Sequence, residues 1–384
     1  MQEFQLNGAK VTLGDPMIVA EGTGHVWFPS LLRFAGGEVM CAYQLVADGW
    51  NHVDVCGLSV TQDGGQTWLP RYDVTGYHGG RPVRLPHPDG SLVGPAYLTF
   101  PDPPDSRRRL CTAYVRHEAG GERWSLSPFG VQVEGLPKDL ALTDLKGRAW
   151  SRRPLAAFYF FGDAVQVEDG FLTAAYCTYE GEKTYTEVIL RTEDLGRTWH
   201  YLSTVGTLDD VPDRGPGGEG PDEASLLALE NGDLMCTMRV GGGTQWPLAR
   251  AYSSDGGQSW SPLDRLPAWS VCPSTKRLQN GMIALSTGRP GIRLWLADDP
   301  KATRWQSVDV QAYHNETMGA EHQIRVEYGG DVPPQTTAYT DIVQVAPNRL
   351  WLAYDRTPFG WDPVPIDSEE RSRIYILPVD VERT

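Results

Sequence analysis

Histidine, cysteine and carboxylate side chains are the groups that most often hold metals or move protons. The 384-residue sequence carries eight His, six Cys and 49 Asp plus Glu. No two Cys have the C-x-x-C spacing, and no His or carboxylate group has a recognisable ligand spacing. We therefore expect no metal and no other cofactor, so that any chemistry must come from acid, base and nucleophilic side chains of the protein itself.

The overall charge and hydropathy narrow the choice of partner. The net charge is −15, which works against nucleic acid because Lys and Arg supply that affinity. No segment approaches eighteen uninterrupted apolar residues, and the opening residues MQEFQLNGAKVTL lack a basic start followed by an apolar stretch. We expect a cytoplasmic protein that contacts neither nucleic acid nor membrane.

One short motif recurs along the chain. TQDGGQTW (61–68), TEDLGRTW (192–199) and SSDGGQSW (253–260) all fit Ser/Thr-x-Asp-x-Gly-x-Ser/Thr-Trp, and weaker copies end at Trp124 and Trp305. Asp, Ser and Thr side chains bond local backbone, and Gly supplies positive φ, so each motif predicts a hairpin turn. We interpret these boxes as structural and not as the site.

Strand-like runs surround every box in a recurring order. The first set is WFPSLLRF (27–34), EVMCAYQL (38–45) and VDVCGLSV (53–60), and five further sets follow. Six units of about four strands predict an all-β protein, a six-bladed β-propeller forming a single domain over 1–384. The last unit lacks an outer strand, which the N-terminal segment QEFQLNGAKVTL can supply. Cys41, Cys111, Cys177 and Cys236 recur near the second strand of different blades, which predicts buried, reduced thiols.

The boxes resemble those of the sialidase (neuraminidase) family of exo-glycosidases and its BNR-repeat relatives. The phrases FPSLLRF, GDAVQVEDG, EASLLALENGDLMCTMR, LQNGMIALS and AYTDIVQV carry the likeness along the whole chain. The resemblance implies a site at the central mouth of the ring, with a Tyr nucleophile, a supporting Glu, an Asp acid/base and three Arg that clamp a sugar carboxylate. A propeller hosts many functions, so the fold is better specified than the chemistry.

The resemblance places the nucleophile at Tyr339, in TAYTDIVQV, and the supporting carboxylate at Glu223, in PDEASLLAL. An anionic nucleophile is repelled by a carboxylate on the anomeric carbon, whereas a phenol is neutral until a neighbouring Glu takes its proton. A Tyr nucleophile is a known exception to the usual pair of carboxylates in glycosidases.

Two clamp arginines have counterparts by the same resemblance. Arg239 in LMCTMRVGG matches one, and Arg293 in STGRPGIRLW matches another, with Arg289 as a close alternative. A guanidinium binds a carboxylate through two parallel hydrogen bonds, which is why arginine suits this role.

The acid/base and the mouth of the first blade involve residues near the start of the chain. The loop LVADGWNHVDV contains Asp48, which lies nearest the family's acid/base, and Asp54 as the alternative. Sialidases carry Arg-Ile-Pro at the entry to the first blade, where this chain has Trp27-Phe28-Pro29. The leading clamp Arg is missing, and Trp27 offers an apolar face to a sugar instead. Further contacts proposed for this opening are His25, Trp50 and His52.

An insertion of residues 313–334 lies between the fifth and sixth predicted blades. It is too long for a turn and carries charges, His314 and His322, so it predicts a loop or lid over the mouth. His322 is a candidate substrate contact, although we favour a surface position for both histidines.

Three functions remain open from the sequence. The first is an exo-acting, retaining glycoside hydrolase that removes a terminal, acidic or otherwise non-sialic sugar from a glycan through Tyr339, Glu223 and Asp48. The second is a polysaccharide lyase, in which Arg239 and Arg293 neutralise a uronate carboxylate. Its base, which removes the neighbouring proton, would be Tyr339 or a His such as His25, His52 or His322. The third is a glycan-binding propeller without catalysis, which the missing arginine keeps open.

Overall fold

The computed structural model describes residues 1–48, 56–73, 81–143, 155–213, 218–241, 247–325 and 334–384. These parts of the chain are almost entirely β-structure, as the strand patterns predict. They contain one α-helix, α1, at Val310–Thr317. Short 3-10 helices lie at Ala119–Gly121, Leu208–Asp210 and Ala320–His322. No helix in the described ranges is long and apolar enough to cross a membrane.

The strands follow one another along the chain in short antiparallel groups. The first half comprises β1 Gln2–Leu6, β2 Ala9–Leu13, β3 Met17–Gly22, β4 Trp27–Arg33, β5 Val39–Gln44, β6 Cys56–Thr61, β7 Leu69–Asp73, β8 Leu85–Pro86, β9 Leu92–Pro95, β10 Phe100–Pro101, β11 Leu110–His117, β12 Trp124–Glu134, β13 Leu142–Thr143 and β14 Leu155–Ala156. The second half comprises β15 Phe158–Val167, β16 Gly170–Cys177, β17 Thr186–Thr192, β18 Thr198–Thr207, β19 Gly220–Ala228, β20 Leu234–Gly241, β21 Ala249–Ser253, β22 Asp264–Arg265, β23 Val271–Arg277, β24 Ile283–Gly288, β25 Arg293–Ala297, β26 Trp305–Asp309, β27 Asp341–Ala346, β28 Arg349–Arg356 and β29 Ser372–Arg383.

Three sheets are plain four-stranded meanders, in the orders β4-β5-β6-β7, β19-β20-β21-β22 and β23-β24-β25-β26. The groups β8-β9-β11-β12 and β15-β16-β17-β18 are joined into one larger sheet, because β12 pairs in parallel with β18. Strands β13 and β14 form a small separate pair. The inner strands β4, β19 and β23 are buried on both faces along most of their length, although they carry polar as well as apolar residues.

The last sheet takes strands from both ends of the chain. The N-terminal hairpin β1–β2 adds to β29 through β2, and β3 also pairs with β29. The predicted pairing of the N-terminal segment with the last unit is therefore present. Side chains then connect this sheet to the first meander, since Asp355 accepts the backbone N–H of Phe28 at 3.0 Å and Asp341 accepts that of Leu31 at 2.8 Å.

The boxes form the turns that their side chains predict. In the first box, Asp63 accepts hydrogen bonds from the Thr61 hydroxyl and from the backbone N–H of Thr67, each at 2.9 Å. The Thr61 hydroxyl oxygen in turn accepts the N–H of Gly65. The same bonds recur around Asp194 and around Asp255. Each aspartate thereby satisfies turn N–H groups that the strands leave unpaired.

The boxes also contact the preceding sheet. Gly65 has φ +90°, and a Cβ there would lie 3.2 Å from Trp351 of β28. The box tryptophan Trp68 packs on the same indole, with ring centroids 5.7 Å apart. In the third box, Trp260 donates to Ser203 of β18. A box therefore closes a hairpin and at the same time packs it against a neighbouring sheet.

Four inner strands have a residue with strained backbone in, or just before, their first half. Phe28, Glu223 and Cys272 sit in β-bulges of β4, β19 and β23 with φ of 53°, 47° and 48°, and Ala338, just before β27, has φ 64°. Each non-glycine residue in this left-handed region costs on the order of 1 kcal/mol. Bulges re-aim side chains and are common beside functional sites. These four positions therefore mark the end of the sheets where we place the candidate site.

All six cysteines are free and buried, as predicted for Cys41, Cys111, Cys177 and Cys236. The described part of the 313–334 insertion differs from an open loop. It contains most of α1 and a 3-10 turn, and the Tyr313 hydroxyl donates to the carbonyl of Gly14 at 2.9 Å. The surface position expected for His314 is wrong, because this side chain is fully buried between Tyr354 and the backbone of His322.

Candidate functional site

The structure brings Tyr339, Glu223 and Arg239 into direct contact. The Tyr339 hydroxyl donates a short hydrogen bond to Glu223 Oε1. Glu223 Oε2 accepts from Arg239 Nη1 at 2.9 Å and from the backbone N–H of Cys272 at 3.2 Å. Glu223 is 6% exposed, so its carboxylate is held by three donors with little water around it. A phenol aimed at a fixed carboxylate is a nucleophile with its base already in place.

The bulges explain how residues distant in sequence meet here. Glu223 occupies the bulge at the start of β19, and Tyr339 directly follows the left-handed Ala338 ahead of β27. Arg239 lies opposite Asp222 in the β19–β20 ladder, close to the end of β20. Without the extra bulge residue, Glu223 would take the alternating side of the strand and would no longer face Tyr339.

Burial shifts the pKa values of this cluster. Burial raises the pKa of Tyr339 well above its usual range, and the charge of Glu223 adds to the effect, so the resting phenol keeps its proton. Burial likewise raises the pKa of Asp222 well above its usual value, Arg239 opposing and Glu223 and Glu219 adding to the rise. Among the described residues, Asp222 Oδ1 has no hydrogen-bond partner.

Arg239 is surrounded by acidic side chains. Besides Glu223, its guanidinium lies 3.6 Å from Glu219 and 3.9 Å from Asp222. Its side chain is 18% exposed, and the nearby carboxylates hold its pKa well above its usual value although burial opposes them. The positive charge of Arg239 is therefore matched within the protein before any ligand arrives.

An aromatic wall lies beside Tyr339. The ring of Phe28 meets Tyr339 edge-on at 4.7 Å, and Trp361 packs 5.7 Å from Phe28 and 5.3 Å from Trp27. Trp27 is only 1% exposed, with its Nε1 bonded to the carbonyl of Val46. The expected open face of Trp27 is thus covered, and the exposed ring is that of Trp361, 42% accessible. No box or motif pointed to Trp361.

His25 and Asp48 lie on the same side as this wall. His25 stacks on Trp27 at 4.3 Å. Burial lowers the pKa of His25, while the charges of Asp362 and Asp48 oppose that change. Asp48 itself is exposed to solvent. Trp50, His52 and Asp54 lie outside the described residues.

A second group of rings, also unforeseen from the sequence, packs against Tyr339. Tyr97 and Tyr176 share a short hydroxyl–hydroxyl hydrogen bond, and the rings of Tyr159 and Tyr185 lie 4.9 and 5.1 Å from Tyr176. Burial raises the pKa of Tyr97 and of Tyr176 well above the usual range. The phenols therefore stay neutral and supply a polar but uncharged wall.

The other predicted contacts differ in how close they lie to this cluster. Arg289 Nη2 donates to the carbonyl of Thr337 at 3.1 Å, and its guanidinium lies 6.0 Å from the Trp361 ring, next to the site. Arg293 instead pairs with Asp309 at 2.7 Å, on the outer strands of its sheet. His322 bonds the hydroxyl of Tyr375 on β29. Of the two alternatives, Arg289 is the one whose contacts lead to the Tyr339 cluster.

The residues available here suit acid–base chemistry better than metal binding. In the described parts of the chain, no group of three His, Cys, Asp or Glu side chains is arranged to hold a metal ion. The cluster supplies a phenol, a fixed carboxylate and one cation. These are the parts of a covalent displacement at a sugar carbon.

No protein-family model matches the chain, and no curated protein sequence matches it. Solved structures do. A Dyadobacter fermentans protein of unknown function aligns with a TM-score of 0.69 at 19% identity, covering 98% of this chain and all of the other. An α-L-arabinanase of Penicillium chrysogenum in complex with arabinobiose aligns with a TM-score of 0.59 at 15% identity, covering 95% and 98%. The sialidase of Trypanosoma rangeli aligns with a TM-score of 0.54 at 12% identity, covering 93% of this chain and 55% of its own.

At these identities the alignments establish the fold. The chain is an all-β protein similar in structure to the propellers of sialidases and arabinanases, which are glycoside hydrolases. The sequence resemblance to sialidases therefore gave the correct fold class. Residue roles are not carried over by such alignments and rest on the geometry above.

Proposed function

We propose that this protein is an exo-acting glycoside hydrolase that removes a terminal sugar with retention, using Tyr339 as nucleophile and Glu223 as its base. The observation that carries the proposal is the hydrogen bond from Tyr339 to a carboxylate that Arg239 and the Cys272 N–H hold in place. A tyrosine that only fills space needs no such carboxylate. Burying a carboxylate costs free energy, and such groups are concentrated at functional sites.

The proposal includes the architecture that positions these groups. We take the successive strand groups as six blades of one propeller domain, with the N-terminal strands completing the last blade. The pairing of β2 and β3 with β29, and the bonds from Asp341 and Asp355 to the first meander, support this closure. The strained bulges then lie around one central mouth.

The proposed reaction has two displacements. Tyr339 Oη bonds to the anomeric carbon while its proton passes to Glu223 Oε1, and Asp48 protonates the departing glycosidic oxygen. A water molecule then attacks the same carbon and gives its proton to Asp48, and Tyr339 leaves and recovers its proton from Glu223. Each inversion cancels the other, so the product keeps the starting configuration.

The charges around the pair favour a neutral sugar. Arg239 is matched by Glu223, Asp222 and Glu219, and Arg293 is matched by Asp309. The position of the leading clamp arginine holds a buried Trp27. A sugar carboxylate would have to compete with Glu223 for Arg239, which is unfavourable in a poorly solvated site. Of the acidic and non-sialic sugars that the sequence left open, we propose a neutral one.

The same pairing weakens the lyase alternative. A lyase needs cations that can neutralise a uronate carboxylate as the neighbouring proton leaves. Arg239 and Arg293, the residues proposed for that task, already have carboxylate partners.

The test is hydrolysis of aryl glycosides of neutral and acidic sugars by the wild type and three variants. Tyr339→Phe and Glu223→Gln should each lower kcat about 10²–10⁴-fold on the substrate that is cleaved, and Asp48→Asn should lower it less for a good aryl leaving group. Tyr201→Phe is the matched control, because this tyrosine bonds Thr204 away from the site.

Full activity of Tyr339→Phe would refute the nucleophile assignment. Preferential cleavage of acidic glycosides would refute the neutral sugar, and an unsaturated uronate product would indicate the lyase. Binding of an oligosaccharide without any turnover by the wild type would favour a glycan-binding propeller.

A further inference from the structure

A groove outside the Tyr339 cluster has the composition of a sugar-binding surface. It has a volume of about 610 Å³ and lies between the loop before β23, the end of β24, β25 and the start of α1. Trp269 and Trp295 line it, and Trp269 is 41% exposed. Pockets of about 300–1,000 Å³ are the usual size for small-molecule ligands. We call this feature the Trp269 groove.

The polar side chains of the Trp269 groove are fixed before a ligand arrives. Arg293 Nη2 donates to Asp309 Oδ2 at 2.7 Å, and Arg293 Nη1 donates to Ser307 at 3.2 Å. Asp309 also accepts the N–H of Ala312 as the cap of α1. Trp295 Nε1 donates to Thr287, which sets the angle of the ring. Preorganised side chains lose little entropy on binding.

The charges of the groove select the ligand class. Arg293 and Asp309 are each about two-fifths exposed, with side-chain accessibilities of 41% and 42%, and together they carry no net charge. The pair presents donors and acceptors side by side, which suits hydroxyl groups that act as both. An anion would have to displace Asp309 from Arg293. Indole faces next to such a pair suit the apolar faces of neutral sugar rings.

The groove adjoins the candidate active site. Pro290 lines it, and the preceding residue, Arg289, bonds the carbonyl of Thr337, two residues before Tyr339. The Arg289 guanidinium also faces the exposed ring of Trp361. A chain of sugars that leaves the Tyr339 cluster on this side therefore passes over Pro290 into the groove.

We propose that the Trp269 groove binds the sugar units that follow the terminal one in a neutral oligosaccharide. This assignment rests on the proposed glycosidase function for its place in catalysis, and on its own geometry for binding. Trp269 acts as the stacking platform, and the Arg293–Asp309 pair bonds the hydroxyls.

The experiment compares Trp269→Ala with the wild type on neutral substrates of increasing length. The substrates are aryl monosaccharides and matching di- to pentasaccharides of the arabinose, mannose and glucose series. Trp269→Ala should lower kcat/KM about tenfold on the longer substrates, the equivalent of about 1.4 kcal/mol, and leave the aryl monosaccharide within about twofold. Trp269→Phe should recover most of the loss, since an aromatic face is restored.

Phe129→Ala is the matched control, because Phe129 is an exposed aromatic residue on β12, outside the groove, with 49% accessibility. It should change neither substrate class. An equal loss on short and long substrates for Trp269→Ala, or no loss on either, would refute the subsite. Thermal melting of each variant excludes unfolding as the cause.

Direct titration separates the two proposals. If no glycoside is cleaved, the glycosidase proposal fails, and calorimetric titration of the wild type and Trp269→Ala with the same pentasaccharides tests the groove alone. Binding that is present in the wild type and lost in Trp269→Ala supports the groove. Equal binding by both, or none by either, refutes it.

Discussion

Asp163 joins inner strands from three parts of the chain through one buried ionic cluster. It lies on β15, and its carboxylate bonds Arg81 at 2.5 Å, Ser225 of β19 at 3.0 Å, and Lys276 of β23. Arg81 is 3% exposed and also donates to the carbonyls of Ala224 and Pro273. We predict that Asp163→Asn destabilises the fold strongly, because it leaves the Arg81 charge buried without an anion.

The size of the effect follows from burial. Breaking a buried ion pair by removing one partner costs about 3–5 kcal/mol. Asp163 is 22% exposed, and Arg81 keeps its two carbonyl acceptors, so we expect the lower end, about 3 kcal/mol. An unfolding entropy of about 2.1 cal/mol/K per residue converts this into a fall in Tm of about 4 °C for the 384-residue chain.

The assay is thermal unfolding of both proteins at several pH values. Burial tends to raise the pKa of Asp163, but Lys276 and Arg81 outweigh it and lower the pKa below its usual 3.8. The stabilisation is therefore complete above that usual value and is lost as the pH falls toward the folded-state pKa. The difference in Tm between wild type and Asp163→Asn should be full at neutral pH and shrink in acid.

Asp380→Asn provides the matched control. Asp380 bonds Arg349 through two contacts of 2.7 Å, but the two side chains are 36% and 52% exposed. An exposed pair contributes about 0–1 kcal/mol, so its loss should lower Tm by no more than about 1 °C. Equal shifts for the two variants would refute the importance of burial in the Asp163 cluster.

Three further predictions concern stability and thiol chemistry. Glu187 is fully buried, neither carboxylate oxygen bonds another described residue, and burial followed by the charges of Asp222 and Glu223 raises its pKa well above 4.5. The folded state therefore keeps a proton that the unfolded state loses, so the free energy of unfolding falls as the pH rises above 4.5. Glu187→Gln should flatten the dependence of Tm on pH between about pH 5 and pH 8, and an unchanged slope of Tm against pH would contradict this. Gly64→Ala should cost about 1 kcal/mol for its positive φ, with open space around a Cβ, whereas Gly65→Ala should cost more because the new methyl meets Trp351 and Met17; thermal melts that rank them equally would count against the packing of the box. Ellman's reagent should find no reactive thiol in the native protein and six after denaturation, since all six cysteines are buried, and rapid native labelling would show that a strand opens.

The box turns were predictable because their information is local. Asp63, Asp194 and Asp255 bond backbone and hydroxyl groups within four residues, so the motif alone specifies the turn. The pairing of Tyr339 with Glu223 came from the sialidase resemblance, which aligns whole repeats. Periodicity alone could not have supplied it, because the two residues are 116 positions apart.

The rest of the site depends on bulges and on loops between sheets. One extra residue at Phe28, Glu223 or Cys272 changes the face of the sheet to which the preceding side chains of that strand point. No sequence signal marks a non-glycine residue in the left-handed region. This is why the exposed ring beside Tyr339 is that of Trp361 and not of Trp27. Arg289 and Arg293 could not be separated for a similar reason, since the backbone at Arg289 is also left-handed.

Strands β2, β3 and β29 join residues near both ends of the chain in one sheet. During synthesis β2 and β3 precede their shared partner β29 by more than three hundred residues. The middle sheets, whose strands are sequence neighbours, can form during synthesis, whereas the last sheet must wait for the C-terminal strand. Strands β2 and β3 thus wait longer for their partner than the strands of the middle sheets, and the pairing of β29 with them is a late step in folding.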